Sequence, residues 1–239
     1  MSLERFFRYP ATTVNYLVNI SERFRFCYIN NPKCASTGIL RALQMAEAGG
    51  NFARLPEFVH DRSKSPLLSF ENCTRSPEDV ISEYLVFTYV RNPYTRVLSA
   101  YIDKVEQEAP ERVRLLPTLG FAPDSRPSFL EFLLAVQKQR DDWRDIHWTT
   151  QSRLLQSNNI SYGFIGRFES FATSFPTLLD RIGIDRKYFD AKYLPTHVTR
   201  ANDRIDDYIG PKERDLIASI YFADFSAFAY GFDPHVASV

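Results

Sequence analysis

The stretch that most constrains this chain runs from Phe26 to Leu43 and reads FCYINNPKCASTGILRAL. It opens with a short aromatic and β-branched run, Phe26 to Ile29, which indicates a buried strand. Pro32 ends that strand because it cannot donate a ladder hydrogen bond. Ser36 or Thr37 is predicted to cap a following helix. The apolar residues of this helix fall on one face: Ile39, Leu40, Leu43 and Ala46. The sequence therefore predicts a strand, a tight polar turn and a helix.

A strand-turn-helix unit of this kind is suited to bind a phosphate or sulfate group. The start of a helix exposes backbone N–H groups and the positive end of its dipole. Lys33 adds a full charge there, and Ser36 and Thr37 add hydroxyl donors. The turn is not the loop of kinases and GTPases, since the glycines of G-x-x-x-x-G-K-[ST] are missing. From this stretch alone, an ordinary turn with a solvated lysine remains the alternative.

The composition excludes several classes of protein. With 239 residues, 44% hydrophobic and 15% aromatic, the chain is long enough to bury a substantial core. Its formal net charge is +0. Nothing global therefore indicates a nucleic-acid partner or an anionic membrane surface, and any anion site must be local. No apolar run approaches the roughly 20 residues that a membrane-spanning helix needs.

The cysteines and the first residues lead to an expectation about the compartment. Cys27, Cys34 and Cys73 lack the close spacing and the histidine neighbours of a zinc site. Because three cysteines cannot all pair internally, we expect reduced thiols and a cytoplasmic protein. The start, MSLERFFRYPATT, lacks the apolar segment of a secretory signal. If the chain is an excised domain of a longer protein, a luminal location is expected instead.

Alternating strand and helix patterns predict one α/β domain over residues 1–239, with a central parallel sheet flanked by helices. Residues 1–24 are expected to be a lead-in, partly helical from Val14 to Ser21, and residues 110–127 a loop-rich insertion. Phe52 to His60 is predicted to hold a short strand interrupted by Pro56. Further strands are predicted at Leu85–Val90 and Gly163–Phe168, and further helices at Ser76–Asp79 (the start only), Tyr94–Glu106, Ser128–Gln139, Ser170–Ile182 and Gly210–Tyr221.

A second candidate anion site follows the strongest predicted strand, Leu85 to Val90. Ligands of open parallel sheets bind at the carboxyl ends of the strands, so Lys33, Arg91 and the more loosely placed His60 are expected at one edge. A magnesium-dependent nucleoside triphosphatase typically places an Asp near this position to hold the ion. This chain has Arg91, which suits a phosphate dianion, and Ser99 on the following helix. The sequence thus predicts two anion sites and no metal ligands between them.

The motifs around these sites carry a family resemblance. NPKCAST after one strand and FTYVRNPYTRVLSAY around a later one resemble the paired cofactor motifs of sulfotransferases that use 3′-phosphoadenosine 5′-phosphosulfate (PAPS). The similarity is strongest to the carbohydrate (family 2) sulfotransferases, and it extends to IHW with Gln151, FIGRFESF and IYFADFSAFAYGFD, in pieces over roughly residues 26–232. The resemblance implies a P-loop-NTPase-like sulfotransferase fold, PAPS as the sulfuryl donor without a metal, and a small-molecule or saccharide acceptor.

The resemblance also assigns roles to individual residues. The group that would hold the 5′-phosphosulfate is Lys33, Cys34, Ala35, Ser36 and Thr37. The group that would hold the rest of the nucleotide is Arg91 and Ser99 at the 3′-phosphate, Phe168 at the adenine, and Thr199 and Arg200 in a late loop that closes over it. Arg96, by contrast, is predicted to be a helix-surface arginine near an acidic neighbour.

Transfer to a hydroxyl group benefits from a general base, and the chain has four histidines. His60 is the predicted base, because related sulfotransferases place a catalytic histidine between the two cofactor motifs. Lys33 is predicted to stabilise charge on the leaving oxygen. His147 is the second candidate base; alternatively it orients the acceptor with Trp148 and Gln151, since an aromatic ring beside polar donors suits a sugar face. Some sulfotransferases use a glutamate, so neither histidine is required.

Two other functions compete with this interpretation. A nucleotide-dependent kinase of related fold would need a glycine-rich loop and a magnesium-binding carboxylate, and neither is found in the sequence. A non-catalytic protein would keep the nucleotide pocket without transferring a group. The presence of Lys33, Arg91, Ser99 and His60 favours the enzyme over this binding protein.

Overall fold

Short strands and many helices make up the part of the chain that the computed structural model describes, residues 5–189 and 199–235. The strands are β1 (Val18–Ser21), β2 (Phe26–Ile29), β3 (Leu85–Val90) and β4 (Phe164–Arg167). The helices are α1 (Ala11–Leu17), α2 (Ser36–Glu47), α3 (Pro77–Glu83), α4 (Pro93–Tyr101), α5 (Arg112–Thr118), α6 (Phe129–Lys138), α7 (Gln151–Leu154), α8 (Phe171–Arg181), α9 (Ile205–Tyr208), α10 (Pro211–Ile220) and α11 (Phe222–Ala227). Short 3₁₀ turns lie at Phe52–Arg54, Arg62–Lys64, Asp141–Trp143, Phe168–Ser170 and Arg186–Tyr188, and a π-helical turn at Ile102–Glu106.

The chain forms two compact units. The first comprises Met1–Val90 and Leu155–Thr196, and the second comprises Arg91–Leu154 and His197–Val239. The first unit contains all four strands with α1, α2, α3 and α8, and the second contains the other helices. The prediction that residues 1–239 form one domain stays a prediction.

The sheet of the first unit has the order β1-β2-β3-β4. β2 pairs in parallel with β3, and β3 in parallel with β4, whereas β1 pairs antiparallel with β2. The predicted α/β class, with a sheet flanked by helices, is confirmed. The predicted central parallel sheet is confirmed for β2, β3 and β4. The antiparallel edge strand β1 was not predicted, because the predicted helical segment Val14 to Ser21 stops being helical at Leu17. Val18 is extended there, with φ −87° and ψ 129°, and starts β1.

The core of the first unit fixes β2 and β3 against α2 and α8. Tyr89 of β3 stacks edge-on against three phenylalanines, at centroid distances of 5.8 Å from Phe164, 5.1 Å from Phe171 and 6.0 Å from Phe175. Each large apolar side chain buried in this way contributes about 1.5–3 kcal/mol. The Tyr89 ring lies over Gly166 of β4, where an added Cβ would be 2.2 Å from Cε1 of the ring. Side-chain packing therefore fixes β3 against β4 and α8.

The outer side of β1 is paired with a loop. Ile20 and Leu68 exchange two backbone hydrogen bonds, of 2.8 and 2.9 Å. The guanidinium of Arg62 donates to the carbonyl oxygens of Val18 and Leu68, both at 3.0 Å, and also to the side chain of Asn19. Burial lowers the pKa of Arg62 to about 10, so the group is charged at neutral pH. Arg62 thus ties the loop to the edge of the sheet.

The second unit is helical over its described residues. α6 begins with the predicted capping box between Ser128 and Glu131, which is confirmed. Residues 110–127 were expected to be loop-rich. They contain α5, so this expectation is wrong for Arg112–Thr118. Arg96, expected on the helix surface, is only 1% exposed. It donates to the carbonyl oxygens of Thr149 at 2.8 Å and Ile146 at 3.1 Å, so its predicted surface position is also wrong.

Candidate active site

The turn between β2 and α2 holds two residues in a left-handed backbone conformation, Lys33 with φ 71° and Ala35 with φ 61°. Outside glycine such residues cost about 1–3 kcal/mol each, and they cluster at binding sites. Left-handed residues in turns also arrange backbone N–H groups into concavities that bind anions. The side chain of Asn31 anchors the turn, donating to the carbonyl oxygen of Tyr89 at 2.9 Å. The turn is therefore a fixed concavity suited to a phosphate or sulfate group.

The start of α2 supports the same conclusion in a way the sequence did not predict. Ser36 is the first helical residue and Ala35 is the N-cap, without a side-chain capping bond. The prediction that Ser36 or Thr37 caps the helix is therefore wrong. The first turn of α2 contains no acidic residue. The positive end of the helix dipole is consequently not neutralised by a carboxylate of its own first turn, which favours an external anion.

His60 lies beside this helix start. Its Nε2 is 3.3 Å from Oγ1 of Thr37. The predicted strand from Phe52 to His60 is wrong: the segment begins with a 3₁₀ turn, whose N-cap Asn51 accepts a hydrogen bond from the N–H of Ala53. His60 thus reaches the predicted 5′-phosphosulfate residues, although no strand leads to it.

The segment before His60 is held by α2. Nη1 and Nη2 of Arg41 donate to the carbonyl oxygens of Pro56 at 3.0 Å and Glu57 at 3.3 Å. Nε2 of Gln44 donates to the carbonyl oxygen of Val59 at 2.8 Å. Both side chains come from α2, the helix that follows the turn with Lys33 and Ala35. This helix therefore also fixes the position of His60.

Phe58 is a residue of this region that the sequence analysis missed. Its ring is 65% exposed, and its centroid is 5.4 Å from that of His60. The half-buried ring of Tyr16 stacks with His60 at a centroid distance of 6.2 Å. Phe58 belongs to no recognisable motif. Its position two residues before His60 is the one signal in the sequence that could have identified it. An exposed aromatic face thus adjoins the candidate base.

In the second unit, Arg91 and Ser99 are both buried, with 5% and 3% exposure. Nε of Arg91 donates to Oγ1 of Thr95 at 3.0 Å, and Nη2 donates to Oδ1 of Asn202 at 2.5 Å. The hydroxyl of Ser99 is 3.0 Å from that of Thr199. Thr95 and Ser99 share one face of α4, as their spacing of four predicts, and Arg91 lies just before the helix. The structure adds Asn202, which the sequence analysis missed, to this group.

The remaining predicted nucleotide contacts are placed as follows. Phe168 is half-buried in the 3₁₀ turn after β4, in the first unit. Cys34 is fully buried, and its thiol is 3.7 Å from the carbonyl oxygen of Pro32. Arg200 is exposed, with φ 48°. The roles of these residues and of Thr199 in binding a nucleotide stay predictions.

The residues predicted to contact the acceptor lie in the second unit. Nδ1 of His147 is 2.5 Å from Oδ1 of Asp145. Burial tends to raise the pKa of Asp145, but the hydrogen bond and the charge of His147 outweigh it and the pKa is lowered. Trp148 is fully buried, edge-on against Phe132 at a centroid distance of 5.6 Å. Its sugar-binding role stays a prediction, and this burial speaks against it.

Gln151 is also fully buried, and its side-chain amide bonds the backbone of Arg91. This contact does not resemble the predicted role of Gln151 in binding an acceptor, which stays a prediction. The carboxylate that accepts from the start of α7, Asp224, was not predicted at all.

The described residues contain no group of three or more His, Cys, Asp or Glu side chains that could hold a metal ion. All three cysteines are free thiols, two of them buried and Cys73 half-buried. The predictions of a metal-free reaction and of a cytoplasmic location are not tested by these features and stay predictions.

Within the described ranges, none of the helices is long and apolar enough to cross a membrane.

Comparison with known proteins places the chain in a family. A model described as "Sulfotransferase family" matches residues 14–231. Carbohydrate sulfotransferase 14 of Danio rerio is 26% identical over 231 residues, covering 90% of this chain and 61% of the relative. Carbohydrate sulfotransferase 10 of Xenopus laevis is 25% identical over 243 residues, covering 88% of this chain and 66% of the relative. The chain thus spans between three fifths and two thirds of the length of these relatives. No solved structure gives a significant match.

Proposed function

The chain belongs to the sulfotransferase family, and from this we propose that it transfers a sulfuryl group from PAPS to a hydroxyl group of a carbohydrate. The names of the relatives support the carbohydrate acceptor. The observation that carries the proposal is the contact of His60 with the first turn of α2: a candidate base lies 3.3 Å from Thr37, within the anion-binding segment.

Candidate anion contacts are found in each unit by itself. In the first unit, the left-handed turn at Lys33 and Ala35 and the start of α2 suit a 5′-phosphosulfate. In the second unit, Arg91 and Ser99 suit a 3′-phosphate, since a guanidinium and a hydroxyl group can both donate to phosphate oxygens. Bound PAPS would supply an activated sulfuryl group.

The residues of the first unit would then carry the transfer. His60 accepts the proton of the acceptor hydroxyl as its oxygen forms a bond to sulfur. The bond from sulfur to the bridging oxygen breaks, and its electron pair stays on the 5′-phosphate. Lys33 stabilises the charge that develops there. The products are a sulfate ester and 3′-phosphoadenosine 5′-phosphate, with the proton on His60. No step requires a redox change.

We assign the acceptor contact to Phe58 rather than to Trp148, because Phe58 is exposed beside His60. Phe58→Ala is expected to raise KM for the acceptor about 2- to 12-fold, since a contact with an aromatic ring contributes about 0.5–1.5 kcal/mol. KM for PAPS should stay unchanged. Phe52→Ala is the matched control, because Phe52 is also exposed in the same unit, at 55%. Steady-state kinetics with each substrate varied would measure both constants. An acceptor KM that is unaltered in Phe58→Ala contradicts the assignment.

The donor class is tested by binding. Without magnesium, the protein is expected to bind 3′-phosphoadenosine 5′-phosphate more tightly than ADP. At about 100 times its dissociation constant, the ligand should stabilise the fold by about 2.7 kcal/mol. Arg91→Ala is expected to weaken this binding by about 30-fold or more, because a buried charged partner is lost, and to leave ADP binding unchanged. Isothermal titration calorimetry gives both values.

The same measurement separates a kinase from the proposed enzyme, and an assay of sulfuryl transfer separates a non-catalytic binding protein from it. A nucleotide-dependent kinase would bind ADP at least as tightly as the 3′-phosphorylated nucleotide and would respond to magnesium, and either result would overturn the proposal. A non-catalytic binding protein would show the preference for the 3′-phosphate but no transfer to any saccharide acceptor.

A further inference from the structure

The side chain of Gln151 forms a two-point contact with the backbone of Arg91. Its Oε1 accepts from the N–H of Arg91 at 2.9 Å, and its Nε2 donates to the carbonyl oxygen of Arg91 at 2.8 Å. Only a primary amide can do both at one backbone position, because a carboxylate has no donor at neutral pH. Gln151 is 0% exposed, so water does not compete for these bonds. The contact fixes the peptide groups on both sides of Arg91.

The start of α7 is itself held by a buried carboxylate. Oδ2 of Asp224 accepts from the N–H of Gln151, and Oδ1 accepts from the N–H of Ser152, both at 2.8 Å. Asp224 is 0% exposed. Burial raises the pKa of Asp224, and the N–H groups of Ser152 and Gln151 oppose that rise. Asp224 therefore fixes the backbone from which the Gln151 side chain extends.

The residues just before α7 are anchored as well. Arg96 donates to the carbonyl oxygens of Ile146 and Thr149. The hydroxyl of Tyr221 donates to the carbonyl oxygen of Trp148 at 2.7 Å. These bonds come from α4 and from the end of α10, two elements far apart in sequence. The segment that carries Gln151 thus has several independent supports, which a four-residue helix requires because it is not stable by itself.

The backbone that Gln151 fixes carries the guanidinium of Arg91, the proposed partner of the 3′-phosphate. Nε and Nη2 of Arg91 donate to Thr95 and Asn202, which hold the guanidinium in place. Ser99 follows Thr95 by one turn of α4 and bonds Thr199. A misplacement of about 1 Å in such a group can cost on the order of 100-fold in activity.

We propose that Gln151 is a positioning residue of the 3′-phosphate site: its amide fixes the backbone of Arg91, and Asp224 fixes Gln151 in turn. This inference rests on the proposed function, in which Arg91 binds the 3′-phosphate of the donor. In this role Gln151 acts through Arg91 rather than through a contact of its own with the nucleotide. Its effect is specific to ligands that carry a 3′-phosphate.

The test is the nucleotide preference of Gln151→Glu. This substitution keeps the size of the side chain but places a carboxylate oxygen against the carbonyl oxygen of Arg91. It is expected to weaken binding of 3′-phosphoadenosine 5′-phosphate about tenfold, while ADP binding stays within about twofold of wild type. In the Arg91→Ala background it should weaken binding no further, because it acts through Arg91. Gln137→Glu is the matched control, since Gln137 is exposed on α6 in the same unit.

A purely structural role for Gln151 would weaken the binding of both nucleotides together, and that result overturns the inference. Wild-type preference in Gln151→Glu, or additive losses in the double variant, also overturn it. If Gln151→Glu does not fold, Gln151→Met removes the amide at similar volume, and the same outcomes apply. Failure of the proposed function is recognised separately: in that case wild type itself shows no preference for the 3′-phosphorylated nucleotide.

Discussion

His60→Ala is expected to lower kcat for sulfuryl transfer by about 10²- to 10⁴-fold, the usual contribution of a general base. The affinity for 3′-phosphoadenosine 5′-phosphate should remain as in wild type, because His60 is not one of the residues proposed to hold the nucleotide. The hydrogen bond described between His60 and the first turn of α2 is the one to Thr37. Single-turnover kinetics with a saccharide acceptor, together with calorimetry of the nucleotide, would measure the two quantities on one preparation.

Two further variants make this result specific. His235→Ala is the matched control, since His235 is half-exposed near the end of the chain and is 3.2 Å from Asp206. Its kinetics should equal those of wild type. His147→Ala tests the competing base, which has an orienting carboxylate in Asp145. If His147→Ala loses transfer and His60→Ala does not, the base is His147 and our assignment is wrong.

Lys33→Met is expected to lower kcat by about 10²- to 10³-fold, comparable with the loss of one group that stabilises charge in the transition state. The reason is that the leaving 5′-phosphate gains negative charge as the sulfur–oxygen bond breaks. Methionine keeps the length of the side chain and, like lysine, has a Cβ, so the left-handed backbone at φ 71° is affected little. The measurement is kcat with PAPS and the acceptor both saturating.

The matched control for this variant is Lys64→Met, because Lys64 is an exposed lysine of the same unit. It should show wild-type kcat. The effects of Lys33→Met on kcat and on KM for PAPS are also to be compared. An unchanged kcat with a raised KM for PAPS would show that Lys33 binds the donor equally in the ground and transition states. Its predicted role at the leaving oxygen would then be excluded.

Those parts of the fold that rest on local pattern were predictable. Leu85 to Val90 is an almost continuous apolar and β-branched run, and β3 has these bounds. Ser76 and Pro77 predicted the start of α3, and the side chain of Ser76 accepts a hydrogen bond from the N–H of Asp79 there. The positions of Lys33 after β2 and of Arg91 after β3 were also predictable, because they need no long-range information. That these residues bind anions stays a prediction.

Other features depend on contacts that no local pattern encodes. Val18 to Ser21 continues the apolar spacing of α1, and only its pairing with β2 makes it a strand. α2 begins at Ser36, earlier than predicted, because Ala35 adopts a left-handed conformation and is the N-cap. This could not be predicted, since alanine rarely adopts such a backbone conformation. Gln151 and Asp224 are 73 residues apart. A sequence motif could therefore identify Gln151 as important but could not show what it contacts.

The loop that Arg62 ties to β1 has a consequence for self-association. An uncovered edge strand offers unpaired N–H and C=O groups to the strands of other molecules and so promotes aggregation. At β1 the backbone groups of Ile20 are already satisfied by Leu68, and the carbonyl oxygen of Val18 by Arg62. Another molecule would have to displace this loop before it could extend the sheet on that side. The half-buried Arg62 thereby helps to keep the protein from forming intermolecular sheets.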